Sequence, residues 1–150
     1  MNDVTTSFEE ELDKNGFFIY TSKGTSMLPL IKEGRDVLLI RKTDGCIKKY
    51  DIALYKKNDK YVLHRIMRVD ENGYSTCGDH QIRWETGIKR ANILGVLSGL
   101  KRKNEEIDFN SFSYRMYILF WCKLFFIRVI ILKGSYYLHR IKNRIIGMGV

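Results

Sequence analysis

Three residues whose side chains together can take a proton from a hydroxyl follow one another along the chain: Ser26, His64 and Asp79. Ser26 lies in Gly24-Thr25-Ser26-Met27-Leu28-Pro29, a tight turn after a β-forming run. There its hydroxyl projects and its backbone amide can face a substrate carbonyl. By itself such a serine is an ordinary turn residue. A serine hydroxyl becomes a nucleophile only beside a base, and the candidate base is His64, in the middle of a strand-like run. An imidazole with a pKa of about 6.5 is available at neutral pH once an acid fixes its tautomer. Alone, a histidine on an apolar face is a core residue satisfied by a neighbour. Asp79, in Thr76-Cys77-Gly78-Asp79-His80, closes a short strand, where a carboxylate can reach an imidazole on the next strand. Its ordinary reading is a turn aspartate bonded to its own backbone.

The elements that must hold these groups read as short strands. Ser7 and Glu10 form a capping box ahead of a helix at 8–15, and Gly16 is placed to end it. Runs at 17–23 and 36–42 are rich in β-formers. The segments 51–57 and 60–69 flank Asn58-Asp59, two residues suited to a tight hairpin. In the second of these segments Val62, His64 and Ile66 share one face, and Leu63, Arg65 and Met67 the other. Asn72-Gly73 marks the next turn, and 91–100 reads as a final strand. Five or six strands with polar turns predict a small, mainly β, antiparallel domain. No internal repeat is present.

With 150 residues the chain has room for one compact domain and an appendage. The net charge of +9 is unevenly spread. Residues 114–150 carry seven basic groups and no acid, leaving 19 basic against 17 acidic groups before them. Three cysteines without a CxxC pair suggest neither a disulfide framework nor a zinc site. The acidic N-terminus lacks the pattern of a signal peptide or anchor, so the domain is expected to start in the cytosol. Residues 116–132 include fifteen apolar residues among seventeen. As a helix they would reach about 25 Å, against a hydrocarbon core of about 30 Å. Eleven Leu, Ile, Phe and Val residues favour insertion by about 0.3–0.6 kcal/mol each, while Lys123 and Arg128 oppose it by about 2.5–3.5 each. The contributions nearly cancel. On one continuous helix Arg115, Lys123 and Arg128 fall at about 0°, 80° and 220°, which leaves no clean polar face. A buried helix and a membrane-associated one both fit, and the basic tail favours contact with a membrane surface.

The motifs GTSMLP, GRDVLL, YDIALY, LHRI and CGD occur in that order at short spacings, and this pattern resembles the type I signal peptidase-like serine peptidases. Gly24, Ser26, Met27 and Pro29 match the nucleophile motif G-x-S-M-x-P. Gly34-Arg35-Asp36-Val37 matches a G-D-x-V stretch with an inserted arginine. Tyr50-Asp51-Ile52 through His64-Arg65-Ile66 resembles the stretch leading to the base, and Gly78-Asp79-His80 the last box, G-D-N. Most bacterial members, and the related LexA-like repressors, have lysine where His64 stands. Histidine there looks like the archaeal and endoplasmic-reticulum branch. That branch has a second acid shortly after the G-D box, and Glu85 is the acid present in that stretch. Asp79 and Glu85 are thus both candidates to orient His64. His80, in place of asparagine, is a second imidazole, although the resemblance puts the base in the LHRI strand.

The resemblance covers about residues 17–100. It implies a signal peptidase/LexA-like β domain at 17–105, and the residues themselves place an N-terminal helix at 1–16 before it and an apolar, basic helical appendage at 106–150 after it, which the resemblance leaves unaccounted for. It also implies a serine endopeptidase that trims leader or signal peptides, with Ser26 as nucleophile, His64 as base and Asp79 as orienting acid, and with Glu85 as support or alternative. Small residues at the cleaved positions follow from the family. No metal or organic cofactor is required. The expected partners are a peptide bound as an added strand and a membrane surface touching residues 114–150, with the catalytic domain on the cytoplasmic side. Nucleic-acid binding is not expected, because the tail is mostly aliphatic and aromatic. The alternative is a catalytically inactive peptide-binding or membrane-associated scaffold of the same fold. A LexA-like regulator fits less well, since no room precedes Phe17 for a helix-turn-helix domain and the lysine base is lacking.

Overall fold

The computed structural model describes residues 7–21, 23–103 and 105–147, with side chains described through residue 142. It divides into two units, the first ending at Asp108 and the second beginning at Phe109.

The first unit is mainly β, as the turn spacing predicted. Helix α1 (Phe8–Asn15) opens it, capped as the sequence indicated. Ser7 Oγ accepts from the Glu10 amide and the Glu10 carboxylate accepts from the Ser7 amide, each at 3.2 Å. Gly16, at φ 74°, ends the helix in the left-handed region that favours glycine. The strands are β1 (Phe17–Thr21), β2 (Asp36–Lys42), β3 (Ile52–Lys57), β4 (Lys60–Asp70), β5 (Gly73–Cys77), β6 (Glu85–Ile88) and β7 (Ile93–Arg102). A two-residue strand, β8 (Glu105–Glu106), pairs with β7. They form a curled antiparallel sheet in the order β1-β2-β7-β3-β4-β5-β6. The run expected at 91–100 begins later, because Arg90–Asn92 form a 3₁₀ turn. Strand β6 was not expected from the sequence: it is four residues long, and only Ile88 in it is buried.

Asn58 and Asp59, at φ 47° and 56°, make the β3–β4 turn left-handed at both central positions, which matches the twist of a hairpin. This turn sets the register. Lys57 faces Lys60, Tyr55 faces Val62 and Ala53 faces His64. Both faces of the hairpin's centre are buried, with Ile52 to Tyr55 and His64 to Met67 each forming a continuous buried run. Simple alternation of buried and exposed residues therefore fails here. On one face Ala53, Tyr55, Ile66, Tyr74 and Ile88 belong to one buried apolar cluster. A register shift in β4 between Ile66 and Arg68 re-aims the strand, and Arg68 and Val69 emerge into solvent.

The second unit is helical. Helix α2 (Phe112–Tyr117), capped by Ser111, runs into a π-helical turn (Ile118–Lys123), and α3 (Phe125–Gly147) follows. Leu124, at φ −86° and ψ 57°, interrupts the helix. Residues 116–132 are therefore not the single continuous helix that the apolar run predicts, and the helical phase restarts at Phe125. No helix among the described residues is long and apolar enough to cross a membrane.

Candidate active site

Ser26 sits in the turn after β1. The turn is stiffened from within by hydrogen bonds that the Leu28 amide donates to Thr25 O at 3.2 Å and the Ile31 amide to Met27 O at 2.9 Å. The buried carboxylate of Asp36 anchors its far end. It accepts from the Lys32 amide at 2.9 Å, from Arg35 at 2.9 and 2.7 Å, and from Arg102 at 3.1 Å. The same two arginines donate to Leu30 O, at 3.1 and 2.6 Å. Burial alone would raise the Asp36 carboxyl, but the Arg35 guanidinium and the Lys32 amide hold it below the usual range. The Gly34-Arg35-Asp36-Val37 stretch is thus a clasp on the serine turn.

A second clasp comes from the Gly78-Asp79-His80 box. The His80 amide donates to Ser26 O at 2.8 Å. A Cβ at position 78 would lie 2.6 Å from that same carbonyl oxygen, so only glycine permits the approach. The side chain of His80 is on an exposed residue, and its contribution to the turn is made by its backbone.

His64 shares a face of the sheet with residues on three neighbouring strands. Ala53 opposes it, so Tyr55 is its diagonal neighbour on β3. Thr76 and Glu85 oppose one another on β5 and β6. Tyr55, fully buried, joins these residues through its hydroxyl. It donates to Glu85 Oε2 at 2.7 Å and lies 3.0 Å from Thr76 Oγ1 and 3.2 Å from His64 Nδ1. Burial pushes the Tyr55 phenol well up, so it keeps its proton. A phenol has one proton to donate, and the charged carboxylate is the stronger acceptor. The Tyr55 oxygen must then accept from both Thr76 and His64. The imidazole is accordingly the Nδ1–H tautomer, and Nε2 carries the lone pair.

Burial would raise the Glu85 carboxyl, yet the Tyr55 hydrogen bond and Lys57, at 3.3 Å, hold it below its usual value. It stays ionised. Burial lowers the His64 imidazole, with partial opposition from Glu85 and Asp79, so the ring is neutral at neutral pH.

Arg65, one residue along β4 from His64, points to the opposite side. There its Nε and Nη2 meet the two carboxylate oxygens of Asp79 at 2.8 and 2.6 Å, both side chains being fully buried. Arg65 Nη1 also donates to Tyr50 O at 2.9 Å. Asp79, expected on the imidazole, is therefore placed against Arg65, and the group on His64 Nδ1 is the Tyr55 hydroxyl. Of Asp79 and Glu85, Glu85 is the acid joined to His64, through the Tyr55 phenol.

Ser26 and His64 open onto one cavity of about 320 Å³, whose wall also includes Phe8, Tyr20, Tyr61 and Glu85. The Ser26 turn and a neutral imidazole with its lone pair on Nε2, held from behind by the Tyr55 hydroxyl, thus border the same space.

Tyr55 and Arg65 were not singled out from the sequence. The hairpin register alone places Tyr55 diagonally beside His64. An arginine inside the aliphatic run Leu63 to Met67 likewise requires a buried acid. Comparisons with protein-family models, curated proteins and solved structures find no match.

Proposed function

We propose that the chain is a serine endopeptidase of the signal peptidase type, acting through an acyl-enzyme. The observation that carries this reading is the shared cavity: Ser26 and His64 border it, with His64 held by Tyr55 and Glu85. His64 Nε2 takes the Ser26 proton as Oγ attacks the scissile carbonyl, then returns it to the leaving amine. Water repeats the cycle to release the acyl group. Backbone amides near Ser26 stabilise the oxyanion. The imidazolium that forms is stabilised by the ionised Glu85 through the Tyr55 hydroxyl, so Tyr55 and Glu85 act as positioning residues. Asp79 serves from a distance, by fixing Arg65 and with it the β4 strand that carries His64.

The antiparallel sheet and the order of motifs along it support the signal peptidase/LexA-like fold. End strand β1 leads directly to the serine turn and pairs with β2 alone among the described residues. Its outer edge suits an extended peptide, as in strand addition. The substrate is a leader peptide or a membrane-proximal segment, and the catalytic unit faces the cytoplasm. Shielding of this unit from protease in intact cells, with cleavage once the inner membrane is opened, supports that side; cleavage from the outside contradicts it.

The test is incubation of the full chain with a complex peptide library and mass-spectrometric mapping of new termini. Termini that appear with the wild type and vanish with Ser26→Ala support the reading. Peptide binding without new termini, under conditions where the chain is folded, points instead to a scaffold.

A further inference from the structure

The interruption at Leu124 changes what the C-terminal helix can do. Along α3, with Phe126 set at 0° and about 100° per residue, Tyr137, Ile130, Ile141, Leu138 and Ile131 follow at about 20°, 40°, 60°, 120° and 140°. Each of the six is exposed, by 48–70%. Between Phe126 and Lys142, Gly134 falls inside the same arc and adds no polar side chain to it. Lys133 and Arg140, at about 340° and 320°, border the stripe on one side, and Lys142, at about 160°, borders it on the other. All three are exposed. Arg128, by contrast, is buried, its guanidinium 4.4 Å from the centre of the Phe125 ring.

We infer that α3 lies in the plane of an anionic lipid surface, with this stripe among the acyl chains and the flanking cations at the headgroups. An apolar arc bordered by Lys and Arg is the pattern of interfacial helices of 20–30 residues, and α3 has 23. The charge selects the occupant. From residue 109 to the end of the sequence there is no Asp or Glu, so every charged group favours a negative surface. A second protein would need a matching acidic and apolar face, whereas an anionic bilayer supplies both at once. The helix does not meet the requirements for crossing. This inference is independent of the peptidase reading and stands or falls apart from it.

The experiment is sedimentation of the full chain with vesicles of phosphatidylcholine alone and with added phosphatidylglycerol. Binding is expected with phosphatidylglycerol, weakened by salt and released by alkaline carbonate. Ile130→Asn with Leu138→Asn leaves the charge unaltered and is expected to abolish binding. Lys133→Gln, Arg140→Gln and Lys142→Gln together should weaken it at least about tenfold. These residues are exposed, and unchanged thermal unfolding of the variants will show that the fold is retained. Equal binding to both vesicles, binding unaffected by either set of changes, resistance to carbonate, or binding to duplex DNA without vesicle binding would each overturn the proposal.

Discussion

Asp79 closes both carboxylate oxygens on the Arg65 guanidinium, and Arg65 is the residue next to His64 in β4. The pair therefore fixes the backbone that carries His64, while the His80 amide, one residue beyond Asp79, holds the carbonyl of Ser26. One three-residue box thus registers the serine turn against the histidine strand.

Removing one member of this pair leaves the other charge buried, which costs about 3–5 kcal/mol. Asp79→Asn is accordingly expected to lower the free energy of unfolding by that amount in a urea titration. Replacing both residues by apolar ones should recover much of the loss. Wild-type stability in Asp79→Asn would show that the pair does not hold the fold.

Tyr55→Phe removes the donor to Glu85 and the acceptor for His64 Nδ1–H without emptying the core. The imidazolium of the transition state loses its hydrogen-bonded link to the ionised Glu85, and hydrogen bonds to charged groups contribute about 1.5–3 kcal/mol, so turnover should fall roughly 10- to 150-fold at about 1.4 kcal/mol per tenfold. The loss is expected in kcat more than in KM, because the phenol touches the base and not the substrate. Glu85→Gln should act in the same direction. Unchanged kcat in both variants would remove the relay from the mechanism.

The imidazole of His64 titrates below its ordinary 6.5 because it is buried. The acid limb of kcat/KM should therefore fall below pH 6.5. The sign for stability follows from the same shift. Between the folded and unfolded pKa values the unfolded chain binds more protons, so this contribution is fully present above about pH 6.5. It declines as pH falls toward the folded value, below which the loss is complete. His64→Gln should abolish that part of the slope in pH-dependent denaturation. An acid limb above 6.5 would contradict the assignment.

Gly78→Ala places a Cβ 2.6 Å from Ser26 O, a backbone atom that cannot swing aside as a side-chain end can. The serine turn must shift, and a misplacement of about 1 Å costs on the order of 100-fold in rate. Cleavage assays beside thermal unfolding should show a loss of activity larger than the loss of stability accounts for. Full activity would show that the box does not register the turn.

Local signals in the sequence led directly to local structure. The Ser7 and Glu10 pair, Gly16 and the Asn58-Asp59 turn each act through neighbours a few residues away, and each formed as expected. The turn also carried non-local information, since a two-residue loop dictates that Ala53 faces His64 and so puts Tyr55 beside it. The partner of Asp79 was less legible. A carboxylate near an imidazole strand and near an arginine in that strand has two plausible mates, and only the pleat decides which side it meets. Strand β6 is only four residues long and contains a glycine, too short a run to show a period, and it is held by pairing with β5. The interruption at Leu124 has no glycine or proline to announce it, so residues 116–132 read as one helix.

Ser26→Ala and His64→Ala should each reduce kcat by on the order of 10⁴- to 10⁶-fold, with the double variant little worse, because residues acting as one unit are not additive. The most direct measurement is intact-mass analysis after treatment with a fluorophosphonate, followed by peptide mapping. The account requires a single adduct on Ser26 in the wild type and its loss in folded His64→Ala. An adduct elsewhere, or labelling of Ser26 at an undiminished rate without His64, would contradict it.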